Sequence, residues 1–288
     1  MRRAPKARIV AKQSGPKAWE GVFDIPVADR ARKPRQIGWT MVIDKGLGLR
    51  ATEDLAATAA DAVDVVKLTF GTSAFFEGTL LRKKLEILRQ AGIYCMPGGT
   101  FQEVCVWQGT FDRYLERAQE LGFTAIEISD GTITMDHRTR TRVITQSVQA
   151  GFLTISEVGK KDPKEALTSK TMAEQVERDL ELGAFLVLVE AREAGKGVGV
   201  MDPSGVPKDE EIDLIVSGLR DPMRLIWETP LAAQQKHFIL RFGSNVSLGN
   251  VAPEDVLALE ALRSGLRGDT LKRAWLADPT YGQRGRGR

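Results

Sequence analysis

Eight short apolar runs alternate with amphipathic stretches along this chain, and few architectures accept that alternation. The runs are Ile37–Ile43, Val63–Leu68, Ile93–Met96, Ala125–Ile128, Phe152–Ile155, Phe185–Val189, Arg224–Trp227 and Asn245–Leu248. They are rich in Val, Ile, Leu and aromatics, as the strands of a buried parallel sheet are. Between them lie helical patterns: Leu81, Leu85 and Leu88 share one face, as do Met172, Val176 and Leu180, and Val256, Leu259, Leu262 and Leu266. Helices are expected to start at Thr52 and at Pro253-Glu254-Asp255. Eight such units within residues 36–270 match a (β/α)8 TIM barrel, an α/β fold of about 250 residues. A doubly wound open sheet gathers its site at one switch point, whereas here charged groups and glycines follow every strand.

A barrel carries its active site on the loops after its strands, so those loops are where chemistry is sought. Asp130, Glu157, Glu190 and Glu228 supply carboxylates there, and Lys45, Lys67, Lys160 and Arg192 supply cations. Singly, each loop has an ordinary explanation: Gly71, Gly98, Gly99, Gly131 and Gly159 suit tight turns, and Asp44 and Thr100 suit helix caps. Together they bring many charges to one mouth, which is costly unless they pair or bind an ionic ligand. Oxygen donors without His or Cys favour a hard cation such as Mg2+. Lysines and an arginine favour phosphate, carboxylate or sulfonate. The amides at Gly98-Gly99-Thr100 and after Asn250 offer an anion seat. The expected chemistry is Mg2+-assisted work on a small polyanion.

Other classes are excluded by what the 288 residues lack. No apolar run reaches the ~20 residues of a membrane-spanning helix, and no apolar core follows the basic N-terminus to make a secretory signal. Cys95 and Cys105 form no disulfide framework or zinc spacing, so a cytoplasmic location is expected. His137 and His237 fall in predicted helices, away from Ser129 and Ser156, and no GxSxG, P-loop or GxGxxG context appears. Gly195-Lys196-Gly197-Val198-Gly199 reads as a phosphate loop or as a flexible cover over the mouth. Residues 1–35 form a basic extension with ten Lys/Arg against three Asp/Glu, and residues 271–288 a basic tail with five against one. The tail from Gln283 to Arg288 is expected to be disordered. Both ends read as solvated termini, so neither a nucleic-acid nor a membrane partner is expected.

The strand-end series Asp44-Lys45-Gly46-Leu47-Gly48, Pro97-Gly98-Gly99-Thr100, Glu127-Ile128-Ser129-Asp130-Gly131, Glu157-Val158-Gly159-Lys160-Lys161, Glu190-Ala191-Arg192-Glu193 and Gly265-Leu266-Arg267-Gly268-Asp269-Thr270 resembles the phosphosulfolactate synthase family from about Arg35 to Leu271. The resemblance implies Mg2+-dependent addition of sulfite to phosphoenolpyruvate, giving (2R)-O-phospho-3-sulfolactate on one route to coenzyme M. It also implies a homo-oligomer, with a trimer as the expected form. The family includes bacterial relatives and plant heat-stress-associated proteins. For such relatives the alternatives are another nucleophile or enol phosphate on the same barrel, or a non-catalytic role. Two positions depart from the family pattern: Phe70 stands where Trp is common, and Ser247 where Asn is usual.

Sulfite attack at C3 of phosphoenolpyruvate leaves negative charge on C2 and its carboxylate, and C2 must then take a proton from one face. Lys160 is the expected donor, Lys161 the second choice, and Lys45 a further catalytic cation. Lys67, Gly98, Gly99, Thr100, Arg192, Ser247 and Asn250 are expected to bind substrate. Asp130, Glu157 and Glu190 are expected to hold Mg2+, directly or through water, with Glu127 deeper in the barrel.

Overall fold

The structure, a computed structural model, describes residues 15–192 and 194–281. The tail from Gln283 to Arg288, residues 1–14 and Glu193 lie outside the described residues. Eight parallel strands alternate with helices. The strands are β1 (Thr40–Asp44), β2 (Val65–Leu68), β3 (Tyr94–Pro97), β4 (Ala125–Ile128), β5 (Leu153–Val158), β6 (Leu186–Val189), β7 (Leu225–Glu228) and β8 (Ser247–Val251). The helices are α1 (Leu49–Ala59), α2 (Gly78–Gln90), α3 (Gly99–Trp107), α4 (Phe111–Leu121), α5 (His137–Gln149), α6 (Ser169–Leu182), α7 (Asp209–Ser217), α8 (Ala232–Phe242), α9 (Val256–Arg263) and α10 (Gly268–Ala277).

The strands are hydrogen-bonded in the order β3-β2-β1-β8-β7-β6-β5-β4. At the remaining seam, Thr124 N donates to Cys95 O at 3.2 Å, and Cys95 N donates to the Thr124 hydroxyl at 2.9 Å. The result is the (β/α)8 barrel expected from the sequence. No helix among the described residues is long and apolar enough to cross a membrane.

Two apolar layers hold it together. Alternate strand residues such as Met41, Val65, Met96, Ile155, Leu188 and Ile226 fill the barrel interior. Their neighbours, among them Val42, Val66, Ile126 and Leu248, face the helices, as a period of two requires. The helices present the expected stripes: Leu81, Leu85 and Leu88 are buried on α2, and Met172, Val176 and Leu180 on α6. Caps set several starts: the Asp136 side chain accepts from Thr139 N at 2.7 Å ahead of α5, and that of Thr168 from Thr171 N at 3.1 Å ahead of α6. Two helix expectations need correction. Helix α1 starts at Leu49, ahead of Thr52, whose hydroxyl instead donates to Gly48 O. Leu266 leaves the stripe because α9 ends at Arg263, ahead of Gly265 with its left-handed φ of +79°, and it is exposed.

The chain ahead of β1 runs along the end of the barrel where the strands begin. Arg35 forms a buried pair with Asp64 at 3.0 Å, and Arg30 meets Glu260 at 3.0 Å. Lys33 Nζ donates to the carbonyls of Ala60 at 2.9 Å and Gly92 at 2.8 Å. That end is thereby covered, and the opposite end carries the cavity.

Candidate active site

A cavity of about 700 Å3 opens at the C-terminal ends of the strands. Its floor follows from strand periodicity. Two residues beyond the interior Val65, Ala125, Ile155, Leu188 and Ile226 come Lys67, Glu127, Glu157, Glu190 and Glu228, the next inward positions. Hydrophobic filling thus gives way to a charged ring in one step.

The ring is tightly bonded. Lys67 Nζ bridges Glu127 Oε1 and Glu228 Oε1, each at 3.0 Å. Glu127 Oε2 accepts from Gly99 N at 2.5 Å, at the start of α3, and Glu228 Oε2 accepts from Ala191 N at 3.0 Å. Glu157 Oε1 accepts from the Ser129 hydroxyl at 2.7 Å. Lys161 Nζ reaches this group from the side, 3.4 Å from Glu157 Oε1 and 3.6 Å from Glu190 Oε2. Glu190 Oε1 accepts from Arg192 N at 2.5 Å, whereas its Oε2 is buried without a hydrogen-bond partner.

Burial and these neighbours pull the ring's acidities apart. Burial opposes the charge on Lys67, but Glu127 and Glu228 outweigh it and hold the ammonium pKa well above the ordinary lysine value. Burial likewise opposes the charge on Lys161, and Glu157, Glu190 and Glu103 overcome it and raise its pKa. Glu157 would be raised by burial, yet Lys161 and Lys67 bring it down to about 2. Burial, then the Glu157 charge, drives Glu190 well above the usual carboxyl range. Burial pushes Glu127 up to about 7 against the pull of Lys67.

Nine of the residues expected at the site line this cavity: Lys67, Gly98, Gly99, Thr100, Glu157, Lys161, Glu190, Arg192 and Asn250. Four do not. Lys160 points away: its Nζ donates to Asp130 O at 2.5 Å and stands 3.4 Å from Asp130 Oδ2. Asp130 is turned from the cavity by Arg140, buried on α5, whose Nη1 meets its Oδ1 at 3.0 Å. Lys45 is exposed on the loop after β1. Ser247 opens β8 at the opposite end of the barrel, where its hydroxyl accepts from Trp39 N at 3.0 Å, so it makes no anion seat at the mouth. The glycine-rich loop after β6 is neither a phosphate loop at the cavity nor a loose cover. Gln234 Nε2 pins it through Gly195 O at 2.7 Å and Gly205 O at 2.9 Å.

Sequence reasoning missed the metal-ligand geometry and the contribution of α3. Carboxylate oxygens of Glu127, Glu157 and Glu228 lie within 4.8 Å of one another, all buried, and form the one such His/Cys/Asp/Glu group found among the described residues. The signal for Glu127 and Glu228 was their two-residue spacing from interior Ala125 and Ile226. Behind the ring, Gln102 and Glu103 of α3 bind Ser129 N and the Ser129 hydroxyl, both at 2.9 Å. Of the five glycines assigned to turns, Gly159 has a left-handed φ of +118°. Gly98 is required for space instead, because a Cβ there would stand 2.6 Å from Phe70 N.

A barrel with an ionisable ring of carboxylates and lysines around a strand-end cavity is the build of a (β/α)8-barrel enzyme. The match to known proteins narrows that class: residues 28–269 fit the model of the (2R)-phospho-3-sulfolactate synthase family. The chain belongs to that family. It is 40% identical over 252 residues to phosphosulfolactate synthase of Methanothermobacter thermautotrophicus, covering 86% of this chain and 97% of the relative. It is 40% identical over 237 residues to the Methanocaldococcus jannaschii phosphosulfolactate synthase, covering 82% and 94%. Among solved structures, a phosphonopyruvate hydrolase shares the barrel at 16% identity and a TM-score of 0.52, covering 79% of this chain and 80% of that one.

Proposed function

We propose that this chain catalyses the addition of sulfite to C3 of phosphoenolpyruvate, giving (2R)-phospho-3-sulfolactate with Mg2+ as cofactor. The observation that carries the reading is the composition of the cavity floor: Glu127, Glu157, Glu190 and Glu228 outnumber Lys67 and Lys161. Burial and mutual repulsion hold Glu190 and Glu127 above the usual carboxyl range, and a bound cation would let both ionise and offset their charge toward anionic reactants. All the donors are oxygens, which suits Mg2+. Glu127, Glu157 and Glu228 would hold it, and Glu190 Oε2, which takes no hydrogen bond, suits a water in its coordination sphere. When bound, Mg2+ supplies Lewis-acid stabilisation of charge on the substrate carboxylate.

The chain's own groups do the rest. Lys67 holds Glu127 and Glu228 in place. Thr100 and Arg192, both lining the cavity, take the phosphate and sulfonate oxygens at the rim. As the sulfur lone pair forms the bond to C3, the π pair moves onto C2 and its carboxylate. Lys161, held charged beside the cavity, delivers its proton to C2 from one face, which fixes the configuration. Lys161 replaces Lys160 as the donor in this reading because it lines the cavity.

The reading carries with it a cytoplasmic homo-oligomer on the route to coenzyme M. Two free, buried cysteines suit a reducing compartment. Phe75 and Trp107, 90% and 75% exposed, favour burial against a second copy. The test is consumption of phosphoenolpyruvate by the purified protein with sulfite and Mg2+, and identification of the product by mass. Phosphosulfolactate formed only when both are present is the expected result. No turnover by folded, Mg2+-loaded protein would refute the reading.

A further inference from the structure

We infer that Glu103 is a positioning residue that holds the Lys161 ammonium at the cavity from behind. The inference rests on the proposed reaction for its kinetic consequence and on geometry alone for the positioning itself. Glu103 sits on α3, 1% exposed, and is not among the residues that line the cavity. A group so placed touches no substrate. One of its oxygens nevertheless leads to the working groups, and the other to a backbone support. Oε1 lies 2.9 Å from the Ser129 hydroxyl, the same hydroxyl that donates to Glu157, and 3.4 Å from Lys161 Nζ. Oε2 accepts from Thr132 N at 2.8 Å and Ile133 N at 2.7 Å.

That last pair decides the role. Two backbone amides fix the plane of the carboxylate, so Oε1 is presented to Lys161 from a rigid support. Lysine is a compact charge on a flexible four-carbon stem. Lys161 is about a quarter exposed, with a side-chain accessibility of 26%, and its other two carboxylate partners, Glu157 and Glu190, belong to the cavity floor itself. Glu103 is therefore the one of the three that substrate and cation leave untouched, and it marks where the ammonium returns. The same helix anchors its neighbours: Gly99 N binds Glu127, and Gln102 accepts from Ser129 N. Helix α3 thus sets the donor and two floor carboxylates relative to one another.

The experiment compares wild type with Glu103→Gln and Glu103→Asp in two independent readouts. The first is amine modification of the folded protein with peptide mass mapping. Lys161 should become several-fold more reactive in Glu103→Gln, while Lys84, fully buried on α2, stays protected. Equal Lys161 reactivity in both proteins, or a parallel rise at Lys84, overturns the positioning role. The second is steady-state kinetics. A group displaced by about 1 Å costs on the order of 100-fold in rate, so kcat should fall by at least tenfold with KM for phosphoenolpyruvate within about twofold. Glu103→Asp, which keeps the charge, should recover part of that loss. Unchanged kcat, or a rise in KM alone, overturns the inference. Should Glu103→Gln not fold, Glu103→Asp is judged by the same criteria against wild type. Wild-type protein inactive with sulfite refutes the proposed reaction instead, and the Lys161 mapping then decides the positioning without it.

Discussion

Lys160 and Lys161 are adjacent in sequence and serve opposite sides of the β5 strand end. Lys161 Nζ stands within 3.6 Å of Glu103, Glu157 and Glu190 at the cavity, while Lys160 Nζ donates to Asp130 O outside it. Gly159, with its φ of +118°, turns the chain just before them. One lysine thereby faces the cavity and the other holds the loop after β4.

Lys161→Ala should lower kcat by about 100- to 10,000-fold, the usual worth of a positioned proton donor, with the fold intact. Lys160→Ala should act on stability and leave kcat within a few-fold. Steady-state rates and melting temperatures of the two variants separate these roles.

Removing Mg2+ with a chelator should abolish turnover, and adding it back should restore it. Glu228→Gln deletes one oxygen of the proposed ligand set and one partner of Lys67. It should raise the Mg2+ concentration needed for half-maximal rate by at least about tenfold. A titration of rate against Mg2+ at saturating substrate checks this.

The lowered pKa of Glu157 predicts an acid-labile fold. Its carboxyl titrates near 4.5 when unfolded and at about 2 when folded. The stability it contributes is therefore fully present above the unfolded value and is lost as pH falls from about 4.5 toward 2, by up to about 1.4 kcal/mol per pH unit. In chelator, wild type should lose more stability than Glu157→Gln between pH 5 and pH 3. Melting temperatures of both proteins across that range test the sign.

Ser247→Ala should destabilise without touching catalysis. The substitution leaves Trp39 N buried without its acceptor, a loss of about 1–3 kcal/mol. KM for phosphoenolpyruvate should stay within about twofold. A large rise in KM would return Ser247 to the mouth.

The Ser247 assignment also shows what the sequence could and could not reveal. All eight strands were legible from their apolar runs, because burial on both faces leaves a continuous signature. Their ends were not. The apolar run Asn245–Leu248 breaks at Gly249, so the pattern ends the strand there, whereas β8 runs to Val251. Gly249 is small because a Cβ would stand 2.8 Å from Met41 Cε in the barrel interior. Moving the end of the strand by three residues carries Ser247 from the mouth to the opposite end. Strand-end carboxylates were legible for the same reason that the strands were. The facing of two consecutive lysines and the reach of Glu103 were not, since both depend on loop and helix directions that periodicity does not encode. Asp130 had the right residue type and the right loop, but Arg140, ten residues later on α5, claims it.

Among the described residues, Phe70, Arg192 and Asn250 are the three non-glycine positions with left-handed backbone, at φ of +56°, +60° and +55°, and all three line the cavity. Each such bend costs on the order of 1–3 kcal/mol and survives only where its surroundings leave no alternative. Phe70 is wedged against Gly98, Arg192 N is tied to Glu190, and Asn250 Nδ2 reaches Arg192 O at 3.4 Å. The rim is accordingly cast before any reactant arrives. Substrates meet a mould already set, and the entropy that a soft rim would surrender on closing around them has been given up once, during folding.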